Sequence, residues 1–278
     1  FRFRVEDRLA AGGDPDDSGQ RDMDALSPSL ALHARVGPAL DLFANASTAF
    51  ETPTTTELAN RPDGAGGFNP ALEPQRTLSV EAGARGGAGP FAYEAAAYRA
   101  RVEDALVPFE VPDSPGRQFY RNAGSATHQG VEVALGLRGP LRLHWDAAYT
   151  WTDARFDDFT VDGMSYAGNR VPGIAPHRFD LGATWIEARG LVALELSHSA
   201  AVPVDDANSA EAADWTVVDA RAEWRLPVHR AGLRLFGGVR NLLDEVYVGS
   251  VVVNAFGRRY YEPAPGRSIH VGIRAELD

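Results

Sequence analysis

The chain has 278 residues, with 38 acidic against 27 basic side chains, a net charge of −11, no lysine and no cysteine. The acidic balance argues against a nucleic-acid partner, and the lack of cysteine excludes a disulfide framework or a thiolate metal site. No stretch approaches the ~18 consecutive apolar residues of a membrane-spanning helix, a test that leaves membrane β-barrels untouched.

Period-two alternation, the mark of a strand with one apolar and one polar face, recurs along the chain. Phe1, Phe3 and Val5 alternate with Arg2, Arg4 and Glu6, so the chain opens in what reads as mid-strand and is expected to be a portion of something longer. Leu30, Leu32, Ala34 and Val36 follow, then Leu40, Leu42, Ala44, Ala46 and Phe50 beyond Gly37-Pro38. Leu78, Val80, Ala82 and Ala84 make the next set, and Phe91, Tyr93, Ala95 and Ala97 the one after. Val131, Val133, Leu135 and Leu137 are separated by Arg138-Gly139-Pro140 from Leu143, Trp145, Ala147, Tyr149 and Trp151. Further sets are Phe179 to Trp185, Val192 to Leu196, Val218 to Leu226 and Leu233 to Val239. The last set is Ile269, Val271, Ile273, Ala275 and Leu277. This gives about twelve strands and no convincing helix.

The connections distinguish architectures that alternation alone leaves open. Those near residues 37–38, 86–90, 138–140, 187–190 and 227–232 are short. Those near 10–24, 52–75, 107–119, 157–176, 202–213 and 249–259 are long and rich in Gly, Pro, Asp and Asn. Short and long alternate strictly. A soluble sandwich with Greek-key crossovers has no reason to keep that order, whereas an up-and-down membrane barrel does. Trp145, Tyr149, Trp151, Trp185 and Trp224 sit on apolar faces, several near strand ends, as an interfacial girdle would. Large aromatics filling a core remain the alternative.

Several segments resemble the TonB-dependent outer-membrane receptors, in the C-terminal part of their barrel. Phe50-Glu51-Thr52-Pro53 with Glu57-Leu58 is similar to a Phe-x-x-Pro and Glu-Leu pair of that family, and Asn69-Pro70-Ala71-Leu72-Glu73-Pro74-Gln75 to its Asn-Pro-x-Leu-x-Pro-Glu element, with Gln75 in place of Glu. Asn122-Ala123 with Gly130-Val131-Glu132, and Gly168-Asn169-Arg170-Val171-Pro172 with Pro176, match two more. The most specific block is Asn241-Leu242-Leu243-Asp244 with Tyr247, then Tyr261, Pro263, Gly266 and Arg267. The resemblance covers most of residues 1–278 as one domain. It implies an all-β, antiparallel up-and-down transmembrane barrel, with about 12 of the strands of a 22-stranded barrel present and the plug domain absent. A twelve-stranded barrel closing alone, porin-like or lipase-like, stays open as the other reading. A soluble β-sandwich binding module is the third.

The motif residues are expected to shape the barrel. Asn241 and Asp244 suit a kink in which Asx side chains bond local backbone, and Pro263 and Gly266 would re-aim the chain into the final strand. What the resemblance implies for function is energy-dependent uptake of a ferric siderophore or similar iron chelate across the bacterial outer membrane, with outer-membrane lipid around the barrel and a TonB-type inner-membrane complex as partner. Ligand candidates in the loops are Phe119, Tyr120 and Arg121, with Arg258, Arg259, Tyr260 and Tyr261, because guanidinium and aromatic groups suit an anionic, ring-bearing ligand. No enzyme, cofactor or metal site is expected. No Gly-x-Ser-x-Gly elbow, phosphate loop or His-Glu-x-x-His occurs. His144, His198 and Ser199 are the residues a lipase-like reading would use, and Asp14, Asp16 and Asp17 could offer oxygen ligands to Ca²⁺.

Overall fold

In the computed structural model, residues 2–6, 18–58, 61, 68–227 and 231–277 are described. Eleven strands form one meander: β1 (Ser29–Gly37), β2 (Leu40–Glu51), β3 (Gln75–Ala88), β4 (Phe91–Glu103), β5 (Ser125–Arg138), β6 (Leu143–Asp158), β7 (His177–Glu187), β8 (Gly190–Ser199), β9 (Trp215–Leu226), β10 (Ala231–Arg240) and β11 (Ser268–Leu277). Each pairs antiparallel with its neighbours in sequence, in the order β11-β10-β9 through to β1. Strands of 12 to 16 residues, such as β2, β3, β5 and β6, exceed the 5–6 usual in globular proteins. They fit the ~9–11 residues of a tilted membrane crossing plus an extension beyond it. β1 and β11 are the two edges, and no pairing joins them among the described residues.

Register fixes the faces. In an antiparallel sheet directly opposed residues point the same way. Ala82 lies opposite Ala97, Ala84 opposite Ala95, Tyr93 opposite Leu135, Ala147 opposite Leu181, Leu194 opposite Ala220, and Leu235 opposite Ile273. The alternating apolar residues therefore merge into one continuous band. That band is the exposed face: Leu32 is 66% exposed, Leu135 54%, Val271 73% and Ile273 67%. An apolar surface this extensive belongs against lipid, not water, which removes the sandwich, whose apolar face would be its core. The opposite face is polar and self-paired. Arg221 bonds Glu195 at 3.2 Å, Arg234 bonds Glu223 at 2.8 Å, Asn45 donates to Glu81 at 3.2 Å, and Ser197 donates to Asp180 at 2.6 Å.

Aromatics mark the short-turn rim of the outward band. Trp145, Trp185 and Trp224 lie near the ends of β6, β7 and β9, with the last two stacked at 6.2 Å between ring centroids. Toward the long loops Tyr149 stacks on His177, and its hydroxyl meets the His177 Nδ1 at 2.9 Å.

The opening segment does not join the sheet. Arg2–Val5 pairs instead with Gly19–Asp22 in a separate ribbon, with Arg2 bonded to Asp22 at 2.7 Å. Its alternation is too short to cross a bilayer, and Phe3 is buried in a loop-side cluster with Met23, Leu58 and Leu72. Phe1, the candidate calcium ligands Asp14, Asp16 and Asp17, and the turn at 228–230 lie outside the described residues.

Burial is thus inverted relative to a water-soluble domain. Phe119, Phe156, Leu58, Leu72 and Val204, the largest fully buried apolar side chains among the described residues, lie in the long connections or at the loop end of a strand. The sheet supplies a wall, and the core is a cap on one end of it.

Candidate functional site

The cap is built from five long connections, at residues 52–74, 104–124, 159–176, 200–214 and 241–267. The last is longer than its composition suggested because Val248–Val251 pairs with Tyr261–Pro263 inside it. Comparable ribbons stiffen three others: Leu106–Phe109 with Phe119–Asn122, Thr160–Val161 with Met164–Ser165, and Val202–Pro203 with Glu211–Ala212. Among its described residues the connection at 52–74 holds one helical turn, Thr55–Leu58. This corrects the expectation of no helix, and its signal was in the sequence. The Thr54 amide donates to the Glu57 carboxylate at 2.6 Å while the Glu57 amide reaches the Thr54 hydroxyl at 3.4 Å, a reciprocal capping box of the form Thr-x-x-Glu.

Most motif residues prove to be cap fasteners. Pro53 is fully buried, and Leu58, Leu72, Pro74 and Pro172 are buried with it. Asn69 turns the chain by accepting from the Ala71 amide at 3.2 Å, and the Pro70 carbonyl accepts from Arg21. Asn122 joins two connections: its oxygen accepts from the Glu73 amide at 2.8 Å, and its nitrogen donates to the carbonyls of Glu73 and Asp104 at 2.8 and 2.7 Å. Gly130 faces inward where any Cβ would lie 2.3 Å from the Trp151 carbonyl oxygen, and Glu132, two residues along the same strand, shares that face. The Asn169 side chain donates to the Asp206 carbonyl at 2.8 Å, and the Pro176 carbonyl accepts from Thr152.

The final connection begins with a left-handed residue. Asn241, at φ 52°, is buried, donates from its amide to the Glu245 carbonyl at 2.8 Å and accepts from the Glu245 N–H at 2.8 Å. Asp244, also left-handed at φ 59°, accepts from the Arg267 N–H at 3.0 Å close to Gly266. Arg267 in turn reaches the Leu242 carbonyl. Tyr247 packs on Trp215 at 4.8 Å between centroids, and Pro263 pairs with Val248.

The two ligand-candidate stretches come together through the hairpin at 106–122. Glu110 accepts from the Phe256 N–H at 3.1 Å and is paired with Arg259 at 3.3 Å, while Asn254 donates to the Pro108 carbonyl at 2.9 Å. Within this unit the candidates divide. Phe119 is fully buried, with the Arg117 guanidinium 5.3 Å from its ring centroid. Tyr260 is buried and donates to Asp205 at 3.4 Å; burial first, and Asp205 second, hold its phenol above the usual range. Tyr120 is half-buried and donates to Gln118 at 3.3 Å. Arg258, Arg259 and Tyr261 form the exposed part. Arg258, left-handed at φ 59° beside Gly257, has no ion-pair partner among the described residues.

Arg121 occupies a different setting. Its guanidinium lies 3.9 Å from the Phe109 ring centroid, and its Nε has no hydrogen-bond partner. Burial depresses its proton affinity, offset by the field of Asp206, Asp162 and Tyr166. Asp206 is buried as well. Its Oδ2 accepts from Asn254 at 3.0 Å, its Oδ1 is unpaired, and burial raises its carboxyl above the ordinary aspartate value. Around it Asn208 bonds Arg170 at both backbone groups, and Asp205 accepts from Ser209 at 2.8 and 2.6 Å. The sequence reading passed over this Asp205–Asn208–Asn254 network; its signal was an Asx-rich run between two apolar sets. Arg258, Arg259 and Tyr261 thus give the cap an exposed cationic and aromatic edge, and the network beside it holds the carboxylates of Asp205 and Asp206.

The residues of the lipase-like reading do not meet. His198 and Ser199 are neighbours on β8 and so point to opposite faces. The His198 Nδ1 bonds Thr216 at 3.0 Å and the Ser199 hydroxyl donates to the Ala200 carbonyl. His144 lies at the short-turn end of β6, opposite Arg138.

Comparison with known proteins gives concordant results. Residues 1–242 match the family model described as TonB dependent receptor-like, beta-barrel. The metal-pseudopaline receptor CntO of Pseudomonas aeruginosa (strain UCBPP-PA14) is 25% identical over 264 residues, which cover 92% of this chain and 33% of that protein. The ferric yersiniabactin uptake receptor FyuA from Yersinia pestis superposes with a TM-score of 0.69 at 19% identity, covering 94% of this chain and 38% of that one. The copper transporter OprC superposes at 0.73 with 17% identity, covering 97% and 42%. The chain thus spans about a third of the length of the curated relative it matches.

Proposed function

The chain belongs to the TonB-dependent receptor-like β-barrel family and to the bacterial outer membrane, and from that premise we propose that it serves the energy-dependent uptake of a ferric siderophore or a similar metal chelate. The observation that carries the reading is the exposed Arg258–Arg259–Tyr261 rim on a bonded loop cap, set at one end of a wall that is apolar outside and polar inside. An anionic chelate would settle on that rim through guanidinium hydrogen bonds and ring stacking. It would then pass along the self-paired polar face when a TonB-type inner-membrane complex supplies energy. No bond is made or broken, so the protein is a transporter and not an enzyme. Relatives named for pseudopaline, yersiniabactin and copper support a metal-bearing cargo.

The test is uptake of radiolabelled iron, presented as a panel of purified ferric chelates, by cells lacking the receptor and by cells complemented with it. At least one chelate is expected to enter only complemented, energised cells. Equal uptake of every chelate with and without the receptor would remove the proposal. Uptake that persists after a protonophore collapses the inner-membrane gradient would favour a passive channel.

A further inference from the structure

The polar inward face changes character toward the short turns of β9, β10 and β11, where three successive rungs of side chains cross the sheet. In the first, Arg221 lies opposite Gly238 and Gly238 opposite His270. In the second, Glu223 lies opposite Phe236 and Phe236 opposite Gly272. In the third, Arg225 lies opposite Arg234 and Arg234 opposite Arg274. Opposed side chains start about 5 Å apart, and consecutive rungs on one face are about 7 Å apart.

The third rung sets three guanidinium groups side by side, and like charges directly opposed destabilise a sheet unless an anion lies among them. The two carboxylates next to the cluster are taken: Glu195 by Arg221 at 3.2 Å, and Glu223 by Arg234 at 2.8 Å. Asp219 and Glu276 continue the inward rows one rung beyond it on either side, and Asp219 accepts from the Asn241 N–H at 2.8 Å. Arg225 and Arg274 are exposed and have no ion-pair partner among the described residues. Between the rungs lies a cavity of about 220 Å³. Phe236 makes its floor. The Phe236 ring lies across β11 because Gly272 has no side chain there, and a Cβ at that position would run into the ring. The His270 ring lies over Gly238 in the same way, its Cε1 2.8 Å from where a Cβ would stand. A flat aromatic floor is thus bounded by Arg221 and His270 at one end and by Arg234 and Arg274 at the other, with Glu223 at its side held by Arg234.

We infer that this cavity binds a planar aromatic carboxylate. The ligand ring stacks on Phe236, and its carboxylate, one rung farther toward the short turns, meets the Arg274 guanidinium in charge-assisted hydrogen bonds with Arg234 beside it. A benzoate spans about that one rung spacing. A compact anion such as phosphate would reach the guanidinium groups and leave the aromatic floor unused. The site lies on the inward face, at the opposite end of the wall from the loop cap, and does not rest on the uptake reading.

The test is a fluorine NMR titration of the complete receptor in detergent micelles with 4-fluorobenzoate, corrected with empty micelles. Saturable binding by the wild type is expected, weakened about ten-fold in Arg274→Gln and about five-fold in Phe236→Leu. Cyclohexanecarboxylate, which keeps the charge and lacks the aromatic ring, should displace the probe about five-fold less effectively than benzoate. Absence of saturable binding overturns the inference, and so does an Arg274→Gln affinity within two-fold of wild type. Inorganic phosphate or cyclohexanecarboxylate displacing the probe as well as benzoate does overturns the aromatic class. Binding lost in R258Q/R259Q and kept in R274Q places the probe on the cap and overturns the site. Heat-modifiable migration on a denaturing gel reports folding. Should Arg274→Gln fail to fold, Phe236→Leu decides, with an affinity within two-fold of wild type overturning the site.

Discussion

Replacing Asn241 isolates the two physical reasons for an asparagine at the start of the last long connection. The side chain makes two hydrogen bonds to the backbone of Glu245, both 2.8 Å, from a position with only 3% exposure. Losing them costs about 1 kcal/mol each. The residue is also left-handed at φ 52°, and an L side chain unable to bond locally pays about 1.5 kcal/mol more there. Asn241→Ala is therefore expected to destabilise the folded chain by about 3.5 kcal/mol. Asn241→Gly loses the same hydrogen bonds but not the steric penalty. Allowing for glycine's extra chain entropy, it should lie about 0.5 to 1 kcal/mol above the alanine variant. Guanidinium unfolding in detergent micelles, followed by tryptophan fluorescence and compared at equal slope, measures both. Two variants within about 0.5 kcal/mol of wild type would refute the bonding argument, and a glycine variant no better than alanine would refute the backbone one.

Three other outcomes follow from the same geometry. Val133→Arg puts a charge within the lipid row of β5, between Ala95 and Tyr149, and should cost about 2 to 4 kcal/mol, whereas Ala134→Arg, one residue away on the inward face opposite Glu94, should cost under about 1 kcal/mol; the same unfolding assay separates them. Gly130→Ala sets a Cβ 2.3 Å from the Trp151 carbonyl oxygen and should cost about 1 to 3 kcal/mol, seen as a lower guanidinium midpoint. Burial raises the Asp206 carboxyl, so the folded cap keeps a proton that the unfolded chain has released. That contribution is full below the ordinary aspartate value near 4 and is lost as pH climbs above it. Asp206→Asn removes the dependence, and its midpoint relative to wild type should rise between pH 4 and pH 7; a constant difference would contradict the assignment.

The wall was legible because a meander asks little of a sequence. Period-two alternation sets which face each strand presents, and Gly37-Pro38 or Arg138-Gly139-Pro140 sets where it reverses, so neighbours pair without long-range information. The opening alternation misled for a related reason. Phe3 satisfies the same period, but its burial against Met23, Leu58 and Leu72 depends on segments about 20 to 70 residues away. The cap was illegible on the same ground. Asn254 reaches Pro108 across 146 positions, and no local pattern announces that contact. Its ribbons are two to four residues long, too short to alternate. Of the ligand candidates, Phe119 and Tyr260 carry the right chemistry and lie inside the cap, whereas Arg258 and Tyr261 carry it and face outward. Composition cannot separate the two pairs; packing does.

The central claim is that the exposed apolar rows meet lipid while the alternate rows line a polar interior. The chain contains no cysteine, so single cysteines at Val80 and Glu81 can each carry a bimane fluorophore in the folded receptor. Comparing vesicles of brominated and unbrominated phosphatidylcholine reads lipid contact directly, because bromine quenches only fluorophores it touches. The account predicts strong quenching at position 80 and little at 81. Absence of quenching at position 80, or equal quenching at both, would contradict it.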